Sequence, residues 1–302
     1  MKTSEILVPR KVMIGIAPTG GMARKADNAA LPVTPQEIAD DVVRAWEAGA
    51  SVAALHARNA AGEATCDAEI YHRINELIRS RCDIVINNST GGGTNGDMIR
   101  RSSLGYEEID FDERLKGADA GAEMCTLDPQ TIICLFDGRE ILMNTSPTRA
   151  RRLAELFKEK HIKPEWEVYS LDHLLQDTSS LINAGFDAPP FVINIVLGAH
   201  KGFQGALPYT PKILQMMVEN LPQDALFFVS AIGTAQLPAT THAIILGGHF
   251  RVGLEDNHYY SRGRLASNLD LIERSVRLVR ELGHEPATAT DARILMGLAG
   301  LR

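Results

Sequence analysis

Four short stretches carry side chains whose types and spacing could do chemistry together. Gly248 to Tyr260, GHFRVGLEDNHYY, is an alternating apolar run that stops abruptly at Glu255, Asp256 and Asn257, so it predicts a buried strand with two adjacent carboxylates at its C-terminal tip. Consecutive residues of a regular strand point to opposite faces. One of the pair could then bind a metal or a substrate while the other, at the frayed end, acts as a base. SVAALHAR ends in His56 and Arg58; a hydrogen-bonded core histidine is the ordinary use of such a residue, and the neighbouring arginine is what points to function. NNSTGGG sets Ser89 and Thr90 before three glycines, which offers hydroxyls and unobstructed backbone N–H groups to a carboxylate or phosphate, or else a loop that only turns the chain. In PEWEVYS, Glu165, Glu167 and Tyr169 alternate and share one face, opposite Trp166 and Val168. A carboxylate turned into a barrel needs a cation, a donor or a proton.

These stretches need a frame that brings them to one place. Val12 to Pro18, VMIGIAP, reads as a first strand opening into Thr19-Gly20-Gly21. Thr34-Pro35-Gln36-Glu37 then starts a helix, with threonine as cap, proline in the first turn and Glu37 closing a capping box; Gly49 ends it. SVAALHAR follows as a second strand, a helix runs from about Asp67 to Arg81, and DIVINNSTGGG is the third strand. The unit repeats through GAEMCTL, PEWEVYS, PFVINIVLG, ALFFVSAIG and the opening stretch, with helices beginning near Ser146-Pro147, Leu171, Thr210 and Pro238 and a last long one from about Arg262 to Leu282. Glycine recurs where helices hand over to strands, at Gly49, Gly117, Gly185 and Gly247. Eight strands alternating with helices predict an α/β chain of the (β/α)8 TIM-barrel class, one domain over residues 1–302, with a hairpin-like insert near 128–146 and a C-terminal helical extension near 284–302. Polar residues stand at nearly every strand tip: Thr19, His56, Ser89 with Thr90, Thr126, Glu167, His200, Thr234, and Glu255 with Asp256. A doubly wound open sheet would use only one switch point. The chain also lacks GxGxxG after its first strand and GxxxxGK[ST] anywhere.

Composition bounds the function. At 302 residues with 45% hydrophobic and 23% charged content, the chain can bury a large core. A net charge of −7 argues against a nucleic-acid binder, which needs a basic face. No apolar run reaches membrane-spanning length, and the N-terminus has no apolar leader, so a cytoplasmic protein with no membrane partner is expected. Cys66, Cys82, Cys125 and Cys134 are scattered without CxxC spacing, which predicts reduced thiols rather than disulfides or a cysteine metal cluster.

In order and spacing, PTGG, LPVTPQE, LHAR, STGGG, MCTLD, PEWEVYSLDHL, LGAHKGFQG and GGHFRVGLEDNHYY resemble the beta-keto acid cleavage enzymes over nearly the whole chain, GLEDN and STGGG being the most specific. The resemblance implies a (β/α)8 barrel, a homo-oligomer (dimer or tetramer), and a reaction of a small β-keto acid with acetyl-CoA that gives acetoacetate and the CoA ester of the remaining acyl chain. Carried over by position, Asp256 is the general base that takes a C2 proton, and Arg251 supports the enolate charge or holds Asp256. Ser89, Thr90, Gly92 and Thr126 are the substrate-binding positions, chiefly for its carboxylate, and Glu167 is the pocket glutamate.

Two departures follow from the same resemblance. The family's zinc sits on two histidines of the second strand and the glutamate after the eighth; here His56 and Glu255 match, but the other histidine position is Ala54. Catalytic zinc takes three protein ligands, so either His200 or His258 supplies the third, or the metal is lost and His56 with Arg251 polarises the carbonyl. His249 begins its strand and belongs to the far end of the barrel. The glutamate that holds an ammonium substituent in some members is replaced by Met22, which points to a less polar or differently charged substrate tail, with Glu167 paired to Arg24 or Lys201. Arg24, Lys25, Lys201, Arg262 and Arg264 are the cations available to CoA phosphates. Rival readings are a CoA-independent lyase or aldolase acting on a keto acid, and a vestigial ligand-binding barrel without turnover.

Overall fold

A computed structural model of the chain describes residues 8–298. Eight parallel strands close into a barrel: β1 (Ile14–Ile16), β2 (Val52–Leu55), β3 (Val85–Asn88), β4 (Met124–Leu127), β5 (Lys163–Val168), β6 (Phe191–Leu197), β7 (Ala225–Ala231) and β8 (His249–Val252), with β8 pairing back onto β1. The local signals work as read. Around α1 (Pro35–Ala48) the Thr34–Glu37 capping box forms, and Gly49 closes the helix at φ 118°. α2 (Ala68–Arg79) is capped by Asp67, and α3 (Phe111–Leu115) by Asp110. α4 (Pro147–Glu159) is capped by Ser146, and α6 (Pro211–Glu219) by Thr210.

Period-two alternation along the strands sorts the barrel interior into layers. At the bottom, Met13, Val52, Val85, Met124, Val192 and Phe228 form an apolar cluster, closed from below by Ala287, Ala292 and Met296. Ala292 and Met296 lie on the C-terminal helix α9 (Ala289–Met296). Two residues further along, the positions become polar: Asn87 donates to Glu165 at 2.7 Å, Asn194 to Glu167 at 3.0 Å, and Ser230 to Asn194 at 2.9 Å. A further step of two reaches His56, Ser89, Asp128, Val196 and Ile232, all of which line the cavity at the mouth.

The expected insert is a hairpin, Ile132–Phe136 with Arg139–Met143, in a four-stranded sheet completed by Glu107–Ile109 and Ile99–Arg101. It is tied to the loop after β6, where Leu135 donates to the Gly202 carbonyl at 2.6 Å and Gln204 to that of Ile133 at 3.0 Å. Two boundaries differ from the sequence reading. The long helix α8 (Asn268–Glu281) starts six residues after Arg262, because Tyr259–Ser261 and Arg264–Leu265 form a hairpin first and Ser267 supplies the cap. The helix after β5 starts at Leu171 as expected and runs through a π-helical stretch, His173–Thr178, into α5 (Ser179–Asn183). α7 (Gln236–Ile245) begins ahead of Pro238. Of the C-terminal extension, residues 299–302 lie outside the described residues.

Candidate active site

Arg251 is the hub. Its side chain projects from β8, is 5% exposed, and pairs with three carboxylates. Nε and Nη2 clasp Asp256 at 3.1 and 2.8 Å, Nη1 reaches Glu167 at 3.0 Å, and Nη2 also meets Glu255 at 3.1 Å. Adjacent residues of a strand could not both do this. β8 ends at Val252, and Gly253, at φ 152°, breaks the chain into a turn that carries Glu255 and Asp256 back over the arginine. A Cβ at Gly253 would run into the Ala17 carbonyl, so only glycine fits here. The loop after β1 presses on the same turn, and it is held by Arg58, whose Nη2 donates to the carbonyls of Thr19, Gly20 and Ala23 at 2.8 Å each. Arg58 therefore shapes the mouth.

Burial sets the protonation of these groups. It pushes the Asp256 carboxyl up to about 6, against the pull of the Arg251 charge. Glu167, Glu165 and Asp128 are likewise raised by burial and drawn down by neighbouring arginines. His56 is lowered to about 3 by burial and then by the charges of Arg58 and Arg251, so it is a neutral imidazole at pH 7. Arg251 stays charged, since its carboxylate neighbours outweigh the cost of its burial.

These groups surround an inner cavity of about 130 Å³, which opens through Met22, Phe203, Ile232, Glu255 and Asp256 into an outer pocket of about 700 Å³. Of the expected site residues, Asp256, Arg251, Glu167, His56, Glu255, Ser89 and Gly92 all line the inner cavity. Thr90 and Thr126 lie behind its wall and lock the tips of β3 and β4 together: Thr90 donates from Oγ1 to the Thr126 carbonyl at 2.6 Å and from its N–H to Thr126 Oγ1 at 3.0 Å. Ser89 Oγ accepts from the Gly91 N–H at 3.1 Å. The expected pairing of Glu167 with Arg24 or Lys201 is replaced by Arg251, Asn194 and Tyr169, because Arg24 turns outward to Asp137 and stacks on Phe136. Sequence reasoning also passed over Asp128. It stands two residues beyond Thr126, on the face already assigned to the interior, and strict alternation along MCTLD would have found it.

The donor set does not fit the family's zinc. His56 Nε2 lies 3.8 Å from Glu255 Oε1, but that oxygen already meets Arg251, and Ala54 offers no imidazole. His200 and His258 line the outer pocket, and among the described residues no three His, Cys, Asp or Glu side chains come together as a metal set. His56 Nδ1 and Glu255 Oε2 are buried without a hydrogen-bond partner among the described residues.

The chain is 36% identical over 293 residues to 3-keto-5-aminohexanoate cleavage enzyme of Fusobacterium nucleatum subsp. nucleatum, covering 95% of this chain and 98% of that one. It is 31% identical to 3-dehydrocarnitine:acetyl-CoA trimethylamine transferase of Rhizobium meliloti, covering 91% and 92%. Among solved structures, ObcA with oxaloacetate superposes with a TM-score of 0.73 at 19% identity, over 90% of this chain and 68% of that one, a likeness of fold. The profile of the beta-keto acid cleavage enzymes matches residues 11–298, and the chain belongs to that family.

Proposed function

We propose that the protein condenses a β-keto acid with acetyl-CoA and cleaves the product to acetoacetate and an acyl-CoA. The observation that carries this reading is Asp256, a buried carboxylate held at both oxygens by Arg251 where the inner cavity meets the outer pocket. Raised to about 6, it is ionised at pH 7 yet basic enough to take the acidified C2 proton of a β-keto acid. The resulting enolate carbon attacks the acetyl carbonyl of acetyl-CoA, and the CoA thiolate leaves. That thiolate then adds to the C3 carbonyl of the joined intermediate. Cleavage of the C2–C3 bond releases the acyl-CoA, and the acetoacetate enolate recovers a proton at C2 from Asp256. Each negative charge forms beside Arg251 in a site largely screened from water, where a fixed cation stabilises an oxyanion strongly. Neutral His56, which lines the same cavity, would donate a hydrogen bond to that oxygen. Ser89 with the backbone of Gly92 suits the substrate carboxylate.

The outer pocket suits the pantetheine arm of CoA. Of the five basic residues considered for its phosphates, Lys201 lines this pocket, whereas Lys25 and Arg264 are engaged with Glu37 and Asp270. The reading extends to a cytoplasmic homo-oligomer, dimer or tetramer, which light scattering checks. Among the described residues no helix is long and apolar enough to cross a membrane, and all four cysteines are free and buried. The test of the activity is acetoacetate formation from a panel of β-keto acids with and without acetyl-CoA. Turnover that ignores acetyl-CoA would favour a simple lyase instead, and binding without turnover would favour a vestigial barrel.

A further inference from the structure

Four carboxylates line the inner cavity, those of Asp128, Glu167, Glu255 and Asp256, and the cation lining it is Arg251. Arg251 pairs with three of them and does not reach Asp128. Asp128 is 2% exposed, and its hydrogen bond among the described residues comes from the Tyr169 hydroxyl at 3.2 Å, to Oδ1. That hydroxyl stands equally 3.2 Å from Glu167 Oε2. A phenol has one proton to give, so it cannot satisfy both carboxylates. Arg114 lies behind the wall, where Nε donates to the Thr90 carbonyl, Nη1 donates to Thr145 Oγ1 and Nη2 has no partner among the described residues; its charge draws the Asp128 carboxyl down without a direct ion pair. Asp128 thus faces the cavity with Oδ2 free, a buried anion whose desolvation nothing in the wall offsets by a direct ion pair.

The surroundings say what could complete it. Ile109, Cys134, Met143 and Phe203 make this part of the cavity apolar, and Tyr169 packs edge-on against Phe203 at 5.4 Å. An alkyl chain fits such walls, and a positive charge on it would find Asp128.

Resting on the activity proposed above, we propose that Asp128, with Tyr169, is the specificity-determining site for a cationic substituent, so that the preferred substrate is a β-keto acid carrying an ammonium group on a short alkyl chain. This revises the expectation drawn from Met22. That residue does line the cavity, but the anion that would meet the ammonium comes from the segment after β4, three strands away round the barrel.

The experiment compares matched substrates in wild type and Asp128→Asn: 3-keto-5-aminohexanoate, 3-ketohexanoate as its uncharged twin, and a dicarboxylic β-keto acid, each with acetyl-CoA. Wild type should favour the ammonium substrate in kcat/KM by at least about tenfold over its twin, and the asparagine variant should lose most of that ratio. Turnover confined to the neutral or dicarboxylic members would overturn the site and leave the reaction standing. A variant that slows both twins equally would also overturn it, since a structural role has no reason to sense charge. Should the variant fail to fold, the wild-type ratio decides alone. No acetoacetate from any keto acid would defeat the proposed reaction itself.

Discussion

At the scale of single residues, the site depends on one guanidinium serving three carboxylates. Asp256→Asn keeps the shape and removes the proposed base, so kcat should fall by about 10²- to 10⁴-fold with little change in fold, as single-turnover acetoacetate assays and circular dichroism would report. The acid limb of kcat/KM should lie near pH 6, where Asp256 takes up a proton. Arg251 pulls that value down, so its removal in Arg251→Gln should raise it and shift the limb to higher pH; a shift to lower pH would contradict this assignment. Ala54 supplies a different kind of test. It sits two residues before His56 on the inward face of β2, and Ala54→His should raise bound zinc, measured by elemental analysis, from well under one to about one per chain, because it completes a three-ligand set. A zinc content near one in the wild type would mean that the two-donor geometry is supplemented by a group the barrel does not present here.

At the scale of elements, the turn after β8 does what a strand cannot. Gly253 is held at φ 152° against the Ala17 carbonyl, so Gly253→Ala should strain the backbone and force β1 and β8 apart locally. A loss of about 2–4 kcal/mol in urea unfolding is expected, with activity falling further than stability because Glu255 and Asp256 lose their shared aim at Arg251. This turn also marks where the sequence stopped being legible. Caps, helix ends and strands follow from short-range chemistry, and Thr34, Ser146, Thr210 and Gly49 act as local spacing predicts. The strand at GHFRV was equally plain, but GLEDN read as a strand tip puts its two carboxylates on opposite faces. Their convergence depends on a contact between Gly253 and Ala17, far apart in the chain. The start of α8 was misread for a related reason: the Tyr259–Leu265 hairpin is stabilised by pairing rather than by propensity. Thr126 and Asp128 show the reverse case. Both lie on the interior-facing register that alternation along MCTLD gives, so Asp128 at the cavity is legible there, while the tie of Thr126 to the tip of β3 needs the packed barrel.

At the scale of the whole molecule, the barrel separates stability from chemistry along its axis. The mouth concentrates buried charge, which costs folding energy wherever pairing is incomplete. The opposite end is dry: α9 inserts Ala292 and Met296 beneath Met13, Val52, Val85, Met124, Val192 and Phe228, and the parallel pairing of Lys11–Val12 with Glu285–Pro286 ties the approach to that helix to the start of the chain. Met296 is fully buried, so Met296→Ala should leave a cavity at the barrel floor and cost about 2–5 kcal/mol. Between that floor and the carboxylates at the mouth lies the layer of Asn87, Glu165, Asn194 and Ser230, joined by hydrogen bonds of its own. The variant should therefore unfold at lower denaturant concentration with an unchanged slope while kcat/KM stays within about twofold of wild type. A drop in kcat/KM matching the loss of stability would show instead that the floor and the mouth form one cooperative unit, and that the polar layer transmits strain rather than isolating the site from it.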